Sequence, residues 1–224
     1  MRTELMMRPF VTAKCGQTLD GKIATSTGSS QWITSAKTRQ WARVERKKFD
    51  AILVGIGTVL KDDPRLNAKG RSTPIKKIVL DSRLRIPFKA RLFHRVDPRN
   101  CILATTKKAG SKKIQTLRAK GMVVLICPTR DGKIKMDFVL KSLYEWGVRS
   151  VLIEGGAKVI GSALKERVVD QMKIYLAPKL LGDETALSSI AGRRVASINQ
   201  CLSLKNIKLK RMGPDFLIEG DVVY

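Results

Sequence analysis

The sequence predicts an α/β fold: a mostly parallel central sheet with flanking helices, finished by an antiparallel C-terminal strand pair. Three observations carry this. Short continuous apolar runs recur along the chain, of the kind found in strands buried on both faces. Segments of helical spacing separate them, and such alternation implies parallel pairing with helices over the sheet. The last two runs follow one another with no helix between, which suggests antiparallel pairing. With 224 residues, one domain over residues 1–224 is expected rather than two small ones.

In order, "PFVTAK" (Pro9–Lys14) reads as the first strand, and Asp20-Gly21 as a tight turn that holds a strand pair. Ser35 can cap a helix running to about Lys48, with Trp41 and Val44 on its apolar side. "DAILVG" (Asp50–Gly55), "KKIVLD" (Lys76–Asp81), "NCILAT" (Asn100–Thr105) and "GMVVLIC" (Gly121–Cys127) read as buried strands. "SKKIQTLRAK" and "MDFVLKSLYEWG" have helical spacing. "SVLIEGG" (Ser150–Gly156) is a strand leading into a helix from about Ala157. "QMKIYLAPKLLG" contains a further strand, and "LKNIKLKRM" with "DFLIEGDVVY" makes the closing pair.

Composition narrows the function classes. Hydrophobic residues make up 43%, enough for a core, so wholesale disorder is excluded. No run approaches the roughly 18 apolar residues of a membrane span. The N-terminal "MRTELMMRPF" lacks the apolar stretch of a secretory signal, so a cytoplasmic protein is expected. Cys15, Cys101, Cys127 and Cys201 are far apart and His94 is the single histidine. That spacing supports no zinc site and no Ser-His-Asp triad, and it reads as buried free thiols. The net charge is +25, a field that draws phosphorylated small molecules and polyanions alike. Nucleic acid is therefore a live alternative partner, although the few aromatics do not interleave with the basic residues as a base-stacking platform would.

Ligands of parallel sheets bind beyond the carboxyl ends of the strands, so Lys14, Gly55–Thr58, Asp81–Arg83, Thr105–Thr106 and Glu154–Gly156 are the residues to inspect. In "IEGGAKVIGSAL", Glu154 ends a strand, and Gly155 and Gly156 precede a helix. That arrangement suits a pyrophosphate, and it equally suits a plain strand-to-helix turn. In "GIGTVLKDDPRL", the glycines permit close backbone approach, while Asp62 and Asp63 have either a specific role or merely start a turn before Pro64. In "LDSRLRIP", the turn Asp81, Ser82, Arg83, Leu84 offers a hydroxyl and a guanidinium to a 2′-phosphate; it also reads as a surface turn.

Taken together, "TLDGKIAT", "SQWIT", "DAILVGIGTVLKDDPRL", "IVLDSRLRIP", "LIEGGAKVIGS" and "IYLAPKLLG" resemble, in order and spacing, the reductase domain of riboflavin biosynthesis. The resemblance covers nearly the whole chain from Pro9. It implies a dihydrofolate-reductase-like fold, a homodimer, no metal, and an NADPH cofactor with NADH as the alternative. The zinc deaminase signature H-x-E with P-C-x-x-C, to which one branch of the family is fused, is missing. The likeness is therefore to the free-standing archaeal and fungal type. That type reduces the ribosyl group of 2,5-diamino-6-ribosylamino-4(3H)-pyrimidinone 5′-phosphate to the ribityl form.

The resemblance also implies roles. Gly16, Trp32, Thr58, Asp62 and Ser82 match positions that contact the cofactor, and Gly155, Gly156, Ala157 and Lys158 match its pyrophosphate loop. Ser30, Arg46, Leu66 and Glu154 match substrate contacts. Lys69 stands where the bifunctional enzymes carry an arginine, which keeps the charge but loses the bidentate fork. Hydride transfer to a ring-opened imine needs no protein nucleophile. Lys14 is the candidate to orient or protonate the sugar, and Glu154 to recognise the amino groups of the pyrimidine. Trp32 is read as a flat wall against the cofactor. The competing functions are reduction of the deaminated uracil counterpart, a related reductase with a pterin-like substrate, and a basic nucleic-acid-binding protein on the same scaffold.

Overall fold

The computed structural model describes residues 7–224. In chain order the elements are β1 (Phe10–Thr18), β2 (Lys22–Ala24), α1 (Ala36–Glu45), β3 (Ala51–Gly55), α2 (Ile56–Asp62), β4 (Lys76–Leu80), β5 (Cys101–Thr105) and α3 (Ser111–Ala119). There follow β6 (Val123–Ile126), β7 (Thr129–Arg130), β8 (Lys133–Ile134), α4 (Met136–Glu145), β9 (Ser150–Glu154), α5 (Ala157–Lys165), β10 (Gln171–Ala177), β11 (Leu187–Ser188), β12 (Ser203–Met212) and β13 (Asp215–Val223). The chain forms two compact units, one of residues 7–10 and 47–151, the other of residues 11–46 and 152–224.

The first unit is built on burial. Strands β3, β4, β5 and β6 pair in parallel in that order, with Ala51 opposite Lys76, Lys77 opposite Cys101 and Ile102 opposite Val123. Every residue of β3 and β5 is buried, as continuous apolar runs require. Ile52, Val54, Val79, Leu103 and Leu117 are among the residues of one apolar cluster. Asp50 ties the unit's ends together. Its carboxylate accepts the N–H groups of Arg149 and Ser150 and pairs with Arg71. Burial pushes that carboxyl up, but these donors outweigh it and hold its pKa below the usual value.

The second unit carries the antiparallel finish. β1 pairs in parallel with β10, from Thr12 opposite Gln171 to Thr18 opposite Ala177. β10 pairs antiparallel with β13, and β13 with β12. Helix α1 is fastened by polar pins. The Ser35 hydroxyl caps it by accepting the Thr38 N–H, Asp215 accepts the Ser35 N–H, and the Thr38 hydroxyl donates to the Met212 carbonyl. Among the described residues no helix is long and apolar enough to cross a membrane.

Several expectations change. β1 runs on to Thr18 because its ladder with β10 continues, so Lys14 lies mid-strand and not at the strand's end. The α-helical part of α1 ends at Glu45, and a 3-10 turn, Arg46–Lys48, carries the run to the expected Lys48. The helix's buried stripe is Thr38, Ala42 and Glu45, and Val44 faces outward. Asp20-Gly21 does turn, but the strand after it, β2, pairs with β11. The Asp20 carboxylate accepts the N–H groups of Leu181 and Gly182. Hydrogen bonds from Thr18 and Gly182 hold it down at about 2. Cys15, Cys101 and Cys127 are buried, whereas Cys201 is exposed.

Candidate functional site

At the exit of β9 the second unit gathers Lys14, Arg46 and Glu154. Glu154 is the last residue of β9 and is buried. Arg46, which follows the last residue of α1, meets it as a bidentate fork, with Nε donating to Oε1 at 2.8 Å and Nη2 to Oε2 at 2.7 Å. Such a pair is geometrically specific as well as strong. Burial alone would raise the Glu154 pKa. The Lys14 ammonium, then the hydrogen bonds and charge of Arg46, and finally Arg43 outweigh it, so the carboxylate is held below its usual range. The Gly155 N–H donates to the Lys14 carbonyl at 3.4 Å, which sets Lys14 level with the end of β9. The Lys14 ammonium lies 5.7 Å from the centroid of the buried Tyr175 ring.

The chain turns at this exit on two glycines. Gly155 and Gly156 have φ of 72° and 82°, a region that favours residues without Cβ. α5 begins at once, with Ala157 half-buried and Lys158 exposed in its first turn. The N–H groups of a helix's first turn have no partner within the helix.

Elsewhere in this unit, Ser30 and Trp32 line one cleft of about 370 Å³ together with Thr18, Lys179 and Leu181. Trp32 is 54% exposed, so it is a surface ring, as its polar flanks predict. The Arg39 guanidinium lies 3.9 Å from its centroid, and the Lys179 ammonium donates to its carbonyl. Gly16 sits two residues beyond Lys14 on β1, opposite Tyr175.

The remaining candidates belong to the first unit. Thr58 is half-buried in the first turn of α2 and Asp62 is exposed at its last residue. Asp63 closes that helix in the left-handed conformation, and its carboxylate accepts the Arg91 N–H. Leu66 is 2% exposed within the apolar cluster, so its side chain packs into the core and does not face a ligand. Lys69 is exposed. At the exit of β4, Asp81 and Leu84 point inward. One Asp81 oxygen accepts the Ile86 N–H, and Leu84 is buried at φ 49°. Ser82 and Arg83 remain outward, with the Ser82 carbonyl accepting from the Thr106 hydroxyl.

The sequence reading named Arg46 and Glu154 separately and did not foresee their pairing across 108 positions. It also missed a second charged group. The Lys173 ammonium lies 2.9 Å from Glu45 and 2.8 Å from Glu219. The available signals were a lysine inside the apolar strand "QMKIYLA" and a glutamate on the buried stripe of α1.

Residues 9–218 match the model of the RibD C-terminal domain. A riboflavin biosynthesis protein RibD from Actinobacillus pleuropneumoniae is 35% identical over 218 residues, covering 96% of this chain and 57% of that protein. The chain thus spans about three fifths of the length of the RibD relatives it matches. A 2,5-diamino-6-ribosylamino-4(3H)-pyrimidinone 5′-phosphate reductase from Methanothermobacter thermautotrophicus is 31% identical, and the match covers 96% of this chain and 99% of that one. Among solved structures, Acinetobacter baumannii RibD superposes with a TM-score of 0.83 at 25% identity, over 97% of this chain and 58% of that one. The riboflavin biosynthesis reductase Rib7 of Saccharomyces superposes at 0.76 and 25%, over 99% and 93%. The dihydrofolate-reductase-like arrangement that the sequence predicts is the fold these neighbours share. On the match over residues 9–218 and the end-to-end likeness to the free-standing reductase, the chain belongs to the RibD C-terminal domain family.

Proposed function

We propose that this chain reduces the ribosyl side chain of 2,5-diamino-6-ribosylamino-4(3H)-pyrimidinone 5′-phosphate to the ribitylamino form, with NADPH as reductant. The observation that carries the reading is the Arg46–Glu154 fork set beside Lys14 at the glycine-lined exit of β9. It joins an acceptor for N–H donors, a lysine ammonium and a helix start within one unit. The end-to-end match to a protein named for this reaction supports it.

The donors present fit a dinucleotide phosphate. In the second unit, Gly155, Gly156, Ala157 and Lys158 would take the pyrophosphate, through first-turn N–H groups and an ammonium. Gly16 and Trp32 would border the cofactor. In the first unit, Ser82 and Arg83 would take a 2′-phosphate, the group that separates NADPH from NADH. Buried Asp81 and Leu84 would shape that turn from within. Thr58 and Asp62 complete the cofactor residues. Bound NADPH supplies a hydride to C1′ of the ring-opened sugar.

The chain's own groups do the rest. Lys14 orients the opening sugar or gives it a proton. Glu154 accepts pyrimidine N–H groups through the lone pairs that Arg46 leaves unused. In the second unit Ser30 would contact the substrate; in the first, Lys69 would offer a cation to its phosphate and buried Leu66 would shape that segment. The reading takes residues 1–224 as one cytoplasmic reductase domain that works as a homodimer.

The test is loss of reduced-nicotinamide absorbance with the diaminopyrimidinone ribotide, run beside its deaminated counterpart and with NADH beside NADPH. Oxidation should be fastest with the diamino compound and NADPH. No oxidation with either pyrimidine ends the reading. The +25 charge keeps one alternative in the test: RNA or DNA binding with a steep salt slope, without cofactor binding, would favour it.

A further inference from the structure

Glu45 shares the buried stripe of α1 with Thr38 and Ala42. A carboxylate there loses its hydration and needs a cation and hydrogen bonds in return. Lys173 supplies them, and its ammonium is held at once by Glu45 at 2.9 Å and Glu219 at 2.8 Å. Burial pulls the Lys173 pKa down, but the hydrogen bonds it donates to Glu219 and Glu45, and their charges, outweigh it, so the ammonium stays charged.

The register places this group beside the candidate site. Lys173 stands opposite Lys14 in the β1–β10 ladder and opposite Glu219 in the β10–β13 ladder. Residues directly opposite one another project to the same face of a sheet. Lys14, Lys173 and Glu219 therefore form a row across three strands, and α1 delivers Glu45 onto the middle of it. The next residue in the chain is Arg46, whose guanidinium forks Glu154. One peptide bond thus joins the group fastened to Lys173 to the group fastened to Glu154.

We propose that Lys173 is a positioning residue for the Arg46–Glu154 pair: held between Glu45 and Glu219, it fixes the C-terminal end of α1 to the sheet and so sets where the Arg46 guanidinium meets Glu154. The two carboxylates have a second consequence. They more than cancel the charge of Lys173, so the neighbouring Lys14 ammonium does not face an uncompensated like charge one strand away. Neither effect requires Lys173 to touch a ligand. The link to catalysis rests on the reductase reading above; the placement of Arg46 does not.

The experiment follows the Arg46 Nε–H resonance in 15N-labelled protein, assigned with Arg46→Lys. Lys173→Met should shift that signal and speed its solvent exchange by about tenfold, the effect of weakening one charge-assisted hydrogen bond. Lys173→Arg, which keeps the charge, should restore it. The KM for the pyrimidine should rise at least about fivefold in Lys173→Met, with the KM for NADPH unchanged. Should Lys173→Met fail to fold, Glu219→Gln tests the same link from the less buried side. A folded variant whose Arg46 signal keeps its parental position and exchange rate overturns the proposal. An inactive parent protein would end the reductase reading alone, because the Arg46 signal is read without substrate.

Discussion

The two compact units hold themselves together by different physics. In the first, β3 and β5 are buried along their whole length, one apolar cluster draws on β3, β4, β5, β6 and α3, and Lys77 and Asp81 are buried charged residues beside it. In the second, one apolar cluster gathers Ala42, Tyr175, Met212 and Leu217, and Ile153, Ile160 and Val169 are buried as well. Beside it lie Glu45 and Lys173, both buried, and the Arg46–Glu154 fork. Burying a charge costs several kcal/mol and is tolerated only when the partner is close and well aimed. Charges paired inside the second unit cost stability and give fixed, oriented chemical groups. The first unit should therefore respond to lost volume, and the second to lost charge.

The largest test of that contrast is Arg46→Met, which leaves Glu154 buried without its fork. A loss of about 3–5 kcal/mol is expected, the usual result of breaking one side of a buried pair. The pH dependence should change sign. Glu154 now has a folded pKa below its ordinary value, so its contribution is present above the ordinary glutamate range and is lost as pH falls through the folded value. In the variant, burial prevails and protonation relieves the strain, so moving from neutral pH toward about pH 4 should narrow the gap between variant and parent in urea midpoints.

In the first unit the matching test is Leu103→Ala at a fully buried position of β5. About 3 kcal/mol should be lost through transfer and cavity terms, with a stability gap to the parent that is flat across the same pH range. A pH-dependent gap here would erase the distinction between the units. A third variant tests close packing in the second unit. A Cβ added at Gly161 of α5 would lie 1.8 Å from the carbonyl oxygen of Ala191, which is backbone and cannot swing aside. Gly161→Ala should cost about 2–3 kcal/mol by overpacking, read as a lower thermal midpoint.

The same contrast explains what could be read in the sequence. β3 and β5 of the first unit were legible because a strand buried on both faces is apolar throughout, and "AILVG" and "CILAT" announce themselves. The glycine-lined exit at Gly155-Gly156 was legible too, since only glycine enters that backbone region cheaply. Charged residues inside the second unit were not. Lys173 within "QMKIYLA" and Glu45 within "AKTRQWARVE" look like solvated charges, because what makes them tolerable is a partner 128 positions away. Spacing reports neighbours along one element, and these groups are neighbours only across elements. Lys14 fell between the two cases. Its residue type stood out, but its mid-strand position followed from the ladder with β10, which sequence alone does not supply.

Lys14→Met should have a smaller effect on stability and a clear one on turnover. Lys14 is half-buried, with its ammonium 5.7 Å from the Tyr175 ring centroid, and methionine keeps an apolar stem of similar length there. The thermal midpoint should stay close to the parent's, while kcat falls at least about tenfold, as loss of a charge-assisted contact to the reacting sugar would require. Unchanged kcat and KM would remove Lys14 from the proposed mechanism while leaving the fold argument intact.

The finest test uses a glycine of the opposite kind. Gly57, in the first turn of α2, is exposed, and an added Cβ would meet no protein atom within 4 Å. Helix propensity favours alanine there, so Gly57→Ala should raise stability by about 0.5–1 kcal/mol. The functional reading makes the opposite demand on the same methyl group, since a glycine-rich exit from β3 is useful to a nicotinamide cofactor only if the backbone can be approached. A rise in thermal midpoint together with a higher KM for NADPH would separate the two causes in one variant. A rise in midpoint with an unchanged KM would mean that Gly57 answers to helix energetics alone. The cofactor would then approach the first unit elsewhere, with the Ser82–Arg83 turn the next segment to mutate.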